Sequence, residues 1–97
     1  MADRSQLETL GKGVRAWNKW RVESPAIIPN LERGKLEGIK LHGADLRSAN
    51  LRGADFTKAE GISGANFGGA NLADAILPND FCFTNQIGSV QDTVKYA

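Results

Sequence analysis

A β-solenoid is the fold class that this sequence predicts, and three observations lead to it. Large apolar residues recur every five residues along the middle of the chain. A small residue stands two positions before most of them, with an aspartate or asparagine in between. A period of five fits neither an α-helix nor a flat strand, because successive large residues would then point to different sides. All of them can be buried only if the chain turns once in each repeat.

The repeat register follows from these residues. From Ile39 onward the chain reads IKLHG, ADLRS, ANLRG and ADFTK, and after one extra residue EGISG, ANFGG and ANLAD. The extra residue is Gly61, which stands where a large residue is due, and we expect it to bulge one corner. The predicted core residues are Leu41, Leu46, Leu51, Phe56, Ile62, Phe67, Leu72 and Leu77.

The other positions of each repeat agree with one turn in every five residues. The small residue is expected to point inward with the large one, where a bigger side chain would overfill a narrow interior. The aspartate or asparagine between them is expected to point outward and bond to nearby backbone. Two places after the large residue we expect corners that need glycine's conformational freedom. The glycines in this position are Gly38, Gly43, Gly53, Gly64 and Gly69.

The motif A(D/N)LXX, present as ADLRS, ANLRG, ADFTK, ANFGG and ANLAD, resembles the pentapeptide-repeat family. The resemblance covers Leu31 to Leu77 and implies a right-handed quadrilateral β-helix of about two to three coils, with four repeats in each coil. On that geometry Leu31 stacks under Leu51. The stretch AWNKWRVESPAIIPNL is also similar to an N-terminal module that precedes the repeats in many bacterial, notably cyanobacterial, members.

The chain divides into three parts on this interpretation. Residues 1–30 form an N-terminal helical cap and an extended lead-in, residues 31–77 form the repeats, and residues 78–97 form a C-terminal cap or tail. One amphipathic helix is expected from Ser5 to about Arg21, with Ser5 and Glu8 as a candidate capping box. Trp17 and Trp20 on this helix are interpreted as a hydrophobic lid over the first coil, the alternative being a platform for a ligand or partner.

The C-terminal part leaves two hypotheses open. Phe81, Cys82 and Phe83, together with the segment SVQDTVKY as a short helix or a strand, cover the last coil. Alternatively, the last coil stacks on a second copy and forms a homodimer, since related solenoids can dimerise through such ends. The same tail can lead to a further domain, because pentapeptide repeats often adjoin other domains.

No catalytic, cofactor or metal site is predicted. His42 is the only histidine and is expected on the surface, and Cys82 is the only cysteine, so neither a catalytic triad nor a cysteine cluster is identifiable. The formal net charge is +1, with no basic block that would indicate nucleic-acid or membrane binding. The N-terminus lacks an apolar run typical of a signal peptide, so a cytoplasmic location is expected.

The sequence therefore favours a non-enzymatic interaction or scaffold module with an unknown protein partner. Arg47, Arg52 and Lys58 are the candidate partner contacts, since all three are predicted to point outward. The alternative is topoisomerase protection through DNA mimicry, which the family resemblance raises. Balanced charges in residues 31–77 and a short stack disfavour that alternative, because a duplex mimic needs dense negative charge.

Overall fold

Two α-helices precede the repeats in the structure, a computed structural model that describes residues 2–78 and 95–96. Helix α1 spans Arg4–Gly11 and helix α2 spans Val14–Glu23. The prediction of one continuous helix was wrong. Gly13, the residue before α2, has a φ of 121°, a backbone conformation that side-chain-bearing residues rarely adopt, and the helix is interrupted there.

The cap of α1 also differs from the prediction. Asp3 is the N-cap, and its side chain accepts hydrogen bonds from the backbone N–H groups of Ser5 (2.9 Å) and Gln6 (3.3 Å). Ser5 lies inside the helix, so the predicted capping box of Ser5 and Glu8 is not formed. An aspartate cap satisfies two of the N–H groups that the first turn of a helix leaves unpaired.

The repeats form a succession of tight turns. In each turn the carbonyl of the large residue accepts a hydrogen bond from the N–H three residues later, as from Ala44 to Leu41 (3.0 Å) and from Ala54 to Leu51 (3.0 Å). The residue two places after the large one has a positive φ, as a type II turn requires. These residues are Gly38, Gly43, Gly53 and Gly69 and the non-glycine residues Arg33, Ser48, Lys58 and Asp74.

The extra residue changes one corner. Gly61 takes the positive φ, 69°, and a 3₁₀ helix follows over Ile62–Gly64. The expectation that Gly64 is a positive-φ corner glycine was therefore wrong, because the 3₁₀ helix replaces the turn there. His42 is exposed, as expected, and its imidazole lies against Gly61, where an added Cβ atom would collide with the ring.

Parallel β-bridges join the repeats into columns. Bridged residues lie 20 apart before Gly61, as in Asn30 and Asn50, and 21 apart across it, as in Asn50 and Asn71. Within the described residues the bridges form four columns: Asn30–Asn50–Asn71, Lys35–Asp55–Ile76, Lys40–Glu60 and Asp45–Asn66. The one-residue insertion is thus absorbed at a single corner, and the columns continue in register above it.

Regular strands are short in the described part of the chain. Strand β1, Ile76–Leu77, pairs in parallel with β2, Lys95–Tyr96, which extends the second column by one strand. Of the C-terminal segment that sequence left open between helix and strand, Lys95–Tyr96 is therefore strand. The residues Phe81, Cys82 and Phe83, and SVQDTV before Lys95, lie outside the described residues.

The interior of the stack contains the large and small residues of the repeats. The eight predicted core residues, from Leu41 to Leu77, are each at most 5% exposed. The alanines that precede them are buried with them, and Phe56 and Phe67 meet edge to face at 6.2 Å between ring centroids. Leu10 and Trp17 from the two helices belong to the same core.

Candidate functional site

The residues that begin the four columns, Asn30, Lys35, Lys40 and Asp45, form what we call the lower end of the stack. Their backbone N–H and C=O groups point away from the stack, because each bridge uses the flanking residues. For example, the N–H of Leu31 donates to the carbonyl of Asn50 at 2.8 Å, and the N–H of Asn50 donates to the carbonyl of Pro29 at 2.9 Å. A further coil would use these outward groups, and without one they form the open edge of a parallel ladder.

Helix α2 covers the fourth column at this end. The indole N–H of Trp17 donates to the carbonyl of Asp45 at 2.8 Å. The amide of Asn18 accepts from the N–H of Asp45 at 2.8 Å and donates to the carbonyl of Gly43 at 2.9 Å. These side chains make the hydrogen bonds that the backbone of another coil would otherwise supply.

The two tryptophans differ in their burial. Trp17 is fully buried, whereas Trp20 is half-buried, and their rings are tilted by 40° with centroids 5.0 Å apart. One turn further along α2, Arg21 donates to the carbonyl of Arg47 at 2.8 Å and lies 3.9 Å from the carboxylate of Asp45. Both tryptophans therefore lie on the helix that contacts the lower end, and Trp17 makes the direct hydrogen bond.

Helix α1 covers the first column in the same way. The side-chain oxygen of Gln6 accepts from the N–H of Asn30 at 2.6 Å, and the N–H of Asp3 donates to the carbonyl of Asn30 at 2.9 Å. Gln6 is only 8% exposed, so this bond is made by a buried side chain. The two helices thus complete the first and fourth columns.

The second and third columns are left open. No hydrogen bond involves the backbone N–H or C=O of Lys35 or Lys40 within residues 2–78 and 95–96. Both residues are exposed, and a cleft of about 760 Å³ lies beside Lys35 between α1 and residues 32–39. Its charged lining residues are Glu32, Arg33, Lys35 and Glu37. Its apolar lining includes Leu7, Leu36 and Ile39. The lower end therefore combines an unpaired backbone edge with an apolar concavity, a combination that suits peptide binding.

The predicted partner contacts Arg47, Arg52 and Lys58 are all exposed. They lie in three successive turns of a circuit that closes every 20 or 21 residues, so they occupy three corners instead of one column. Arg47 binds Asp45 through two hydrogen bonds, at 2.8 and 2.9 Å, and Arg52 lies 3.9 Å from the carboxylate of Asp74.

The outward aspartates and asparagines act in the turns. Their side-chain oxygens accept from the N–H two residues later, as Asp55 does from Thr57 at 2.9 Å. The pKa of Asp55 is lowered, first by the hydroxyl of Thr57 and then by this backbone bond. The pKa of Asp45 is lowered mainly by its hydrogen bond to Arg47, which also raises the pKa of Arg47. These carboxylates are held ionised, which suits a structural role and not proton transfer.

Sequence reasoning missed the groups that define the lower end. Gln6 and Asn18 carry no periodic signal, since each is a single polar side chain within a helix. Lys35 and Lys40 did carry one: they occupy the repeat position where most later repeats have aspartate or asparagine. Lysine at a strand edge is typical of edges that face solvent.

Comparisons with known proteins agree with the repeat geometry. A family model described as pentapeptide repeats (8 copies) matches residues 30–60. A search of curated proteins and a search of solved structures found no match. Neither helix in the described part of the chain is long and apolar enough to cross a membrane, and no group of three or more metal-binding side chains is assembled there. The match is confined to residues 30–60, and pentapeptide repeats in general imply a non-enzymatic right-handed β-helix.

Proposed function

We propose that this chain is a protein-interaction or scaffold module and that its partner binds at the lower end of the stack. The observation that carries the proposal is the open cleft beside Lys35, with Leu7, Leu36 and Ile39 in its lining. The predicted core residues of the repeats and Leu36 are buried, so the apolar contact area in this concavity comes from the half-buried Leu7 and Ile39. The turns around it are fixed by backbone hydrogen bonds, which favours a preformed binding surface.

The architecture behind this proposal is a quadrilateral β-helix of about two to three coils, closed at its lower end by residues 1–30. The four columns and the bridge spacing of 20 or 21 residues support four repeats in each coil. The hydrogen bonds from Trp17, Asn18 and Gln6 to the lower end support a capping role for the two helices. Residues 31–77 are then the repeat body, and residues 78–97 the C-terminal cap or tail.

Affinity capture from the organism of origin tests the proposed function. The full chain, an Ile39→Arg variant and a Val22→Arg variant serve as baits after their melting temperatures have been compared. Ile39 lines the cleft, whereas Val22 is 79% exposed on α2 and is not part of the lining, so it controls for an added arginine. A protein retained by the wild-type and Val22→Arg baits but lost from Ile39→Arg is expected. Equal retention by all three folded baits would contradict binding at the cleft.

Two further surfaces remain proposals. Arg47, Arg52 and Lys58 are exposed and suited to a second contact, although Arg47 is already bound to Asp45. Charge reversal at Arg47 and Arg52 that leaves every captured protein bound would remove this surface. A homodimer through the C-terminal coil predicts a sedimentation coefficient that rises with concentration, and a constant monomer value would contradict it.

The charges give no support to DNA mimicry. Residues 31–77 contain as many acidic as basic residues, and both signs occur in the first turns, where Glu32 and Glu37 alternate with Arg33, Lys35 and Lys40. A surface that replaces duplex DNA needs dense negative charge along its length. The interaction module is therefore the function that the chemistry of the chain supports best.

A further inference from the structure

We infer that the lower end binds a peptide segment of a partner protein, which pairs in parallel with the backbone edges of Lys35 and Lys40, turns between them, and places acidic residues opposite these lysines. This inference rests on the proposed function and names the chemistry of the partner. Four features of the described residues support it: the open edge, the strand at the other end of the same column, the charge register and the cleft.

The open edge supplies the backbone contacts. The N–H and C=O groups of Lys35 and Lys40 point away from the stack, whereas the corresponding groups of Asn30 and Asp45 are bound by α1 and α2. An extended peptide is a ligand that can satisfy such groups along a strand edge, since its own backbone alternates donors and acceptors. Among residues 2–78 and 95–96, no group pairs with the edges of these two columns, which leaves them available for strand addition.

The other end of the second column already has a strand added to it. Strand β2, Lys95–Tyr96, lies outside the five-residue repeats, yet it pairs in parallel with Ile76–Leu77 at the top of the column that begins at Lys35. The column therefore does not require a pentapeptide repeat as its neighbour. A strand from another protein can extend it downward by the same pattern of hydrogen bonds.

The register of charges indicates acidic residues in the partner. Lys35 is bridged to Asp55, and Lys40 is bridged to Glu60, so each lysine has an acidic residue in register on the stack side. Opposite charges in register stabilise adjacent strands, whereas like charges destabilise them. A partner with acidic residues on the open side would continue this alternation. Because Lys35 and Lys40 lie in successive columns five residues apart, the two acids of the partner must also be five residues apart.

The cleft indicates an apolar residue directly after the first acid. In the stack, Asp55 is followed by Phe56, which is fully buried beside the same column. A partner strand with the same orientation would direct the corresponding residue toward the cleft, whose half-buried apolar lining residues are Leu7 and Ile39. The inferred ligand is therefore a segment with the pattern acid, large apolar residue, three residues, acid, and with a turn between the two acids.

The chain itself contains a probe with this pattern. A labelled synthetic peptide with the sequence of residues 53–61, GADFTKAEG, has two acids five residues apart and a phenylalanine after the first. The matched control peptide is GANFTKAQG, in which both acids are replaced by neutral amides of the same shape. Fluorescence anisotropy with the full chain should show saturable binding of the acidic peptide and at least tenfold weaker binding of the control.

Variants of the chain locate the binding edge. Lys35→Glu combined with Lys40→Glu should weaken binding of the acidic peptide at least tenfold. The same double variant should bind the charge-reversed peptide GAKFTKAKG, in which both acids are replaced by lysine. Arg15→Glu combined with Lys19→Glu, which makes the same change in net charge at exposed positions of α2, should leave the affinity within about twofold. Backbone amide resonances of residues 34–41 should shift on titration of the acidic peptide into the wild-type chain.

Three results of the peptide titrations would overturn the inference. They are no binding of the acidic peptide, equal affinity for the neutral peptide, and equal affinity for the Lys35→Glu/Lys40→Glu variant. If sedimentation shows self-association that this double variant abolishes, the occupant of the edge is a second copy, and the inference of a different partner fails. If the acidic peptide does not bind but the Ile39→Arg bait still loses a captured protein, only the inferred chemistry of the partner is rejected. If the Ile39→Arg bait captures that protein as well as the wild-type bait does, the proposed site is rejected.

Discussion

Replacement of Trp17 by phenylalanine tests how the helices close the lower end. The phenylalanine ring keeps most of the apolar contact but cannot donate to the carbonyl of Asp45, which the indole N–H of Trp17 binds at 2.8 Å. Leaving a partly buried carbonyl without its donor costs about 1–3 kcal/mol, and the loss of ring volume at a fully buried site adds to it. We expect Trp17→Phe to lower the free energy of unfolding by about 2–3 kcal/mol.

Trp20→Phe is the matched control for this variant. Trp20 is half-buried and its indole N–H makes no hydrogen bond within the described residues, so the same exchange should cost less than about 1 kcal/mol. Urea unfolding followed by circular dichroism gives both values. In a domain of about this size each kcal/mol lowers the melting temperature by roughly 4–8 °C, so the two variants are also expected to separate in a thermal scan.

The result that would refute the reasoning is an equal loss of stability in the two variants. Equal losses would mean that the hydrogen bond from Trp17 to Asp45 contributes nothing beyond packing. Fluorescence provides a second check, since the chain has two tryptophans and Trp20→Phe leaves Trp17 alone. Its emission should be that of a buried indole and should shift toward the red only on unfolding.

Three further predictions concern the turns. Lys58→Gly should stabilise the chain by about 0.5–1 kcal/mol in urea unfolding, because Lys58 has a φ of 60°, which glycine adopts without strain; a loss of stability would contradict this. Gly61→Ala should lower the free energy of unfolding by about 1–3 kcal/mol, since Gly61 has a φ of 69° and an added Cβ atom would collide with the ring of His42. Gly64→Ala is the control and should cost less than about 0.5 kcal/mol, because its Cβ atom would meet no atom closer than 3.8 Å. The lowered pKa of Asp45 predicts stability that is present above its ordinary pKa of 3.8 and is lost as pH falls through the lower folded value. Asp45→Asn, which breaks the ion pair with Arg47, should lose about 0.5–1 kcal/mol at pH 7 and show a shallower decline toward pH 2.

The periodic part of the fold could be predicted from sequence because every repeat has a large apolar residue that must be buried at the same position. Leu41, Leu46 and Leu51 recur at five residues, and only a chain that turns once per repeat can bury all of them. The shift at Gly61 could be predicted for the same reason, and the bridge spacing changes there from 20 to 21 residues. Gly64 was misassigned, since the pattern could not reveal that the insertion replaces a turn with a 3₁₀ helix.

The helices could be predicted only in outline. Apolar residues at helical spacing extend across Gly11 and Gly13, so the pattern does not show where the helix is interrupted. Asp3 and Ser5 are both common N-cap residues, and the contact of Asp3 with Asn30 is a tertiary feature without a local signal. Local propensity therefore gave the element type, while its bounds depend on how the segment meets the stack.

The candidate site could be predicted least, because it arises where the periodicity stops. Gln6 and Asn18 bind backbone groups 24 and 27 residues away in the chain, and no repeat pattern relates these positions. The cleft exists because α1 and α2 cover two columns and leave two uncovered. In the sequence, the uncovered columns are indicated only by lysine at positions 35 and 40, where most later repeats have aspartate or asparagine.

Amide hydrogen exchange by NMR on the full chain is the most direct test of the half-covered lower end. The amides of Asn30 and Asp45, which bind Gln6 and Asn18, should be protected to a degree similar to that of Asp55 inside the stack. The amides of Lys35 and Lys40 should exchange at rates near those of an unstructured peptide, because no group within the described residues accepts their hydrogens. Equal protection at all four column starts would contradict the open edge, and rapid exchange at Asn30 and Asp45 would contradict the closure by the helices.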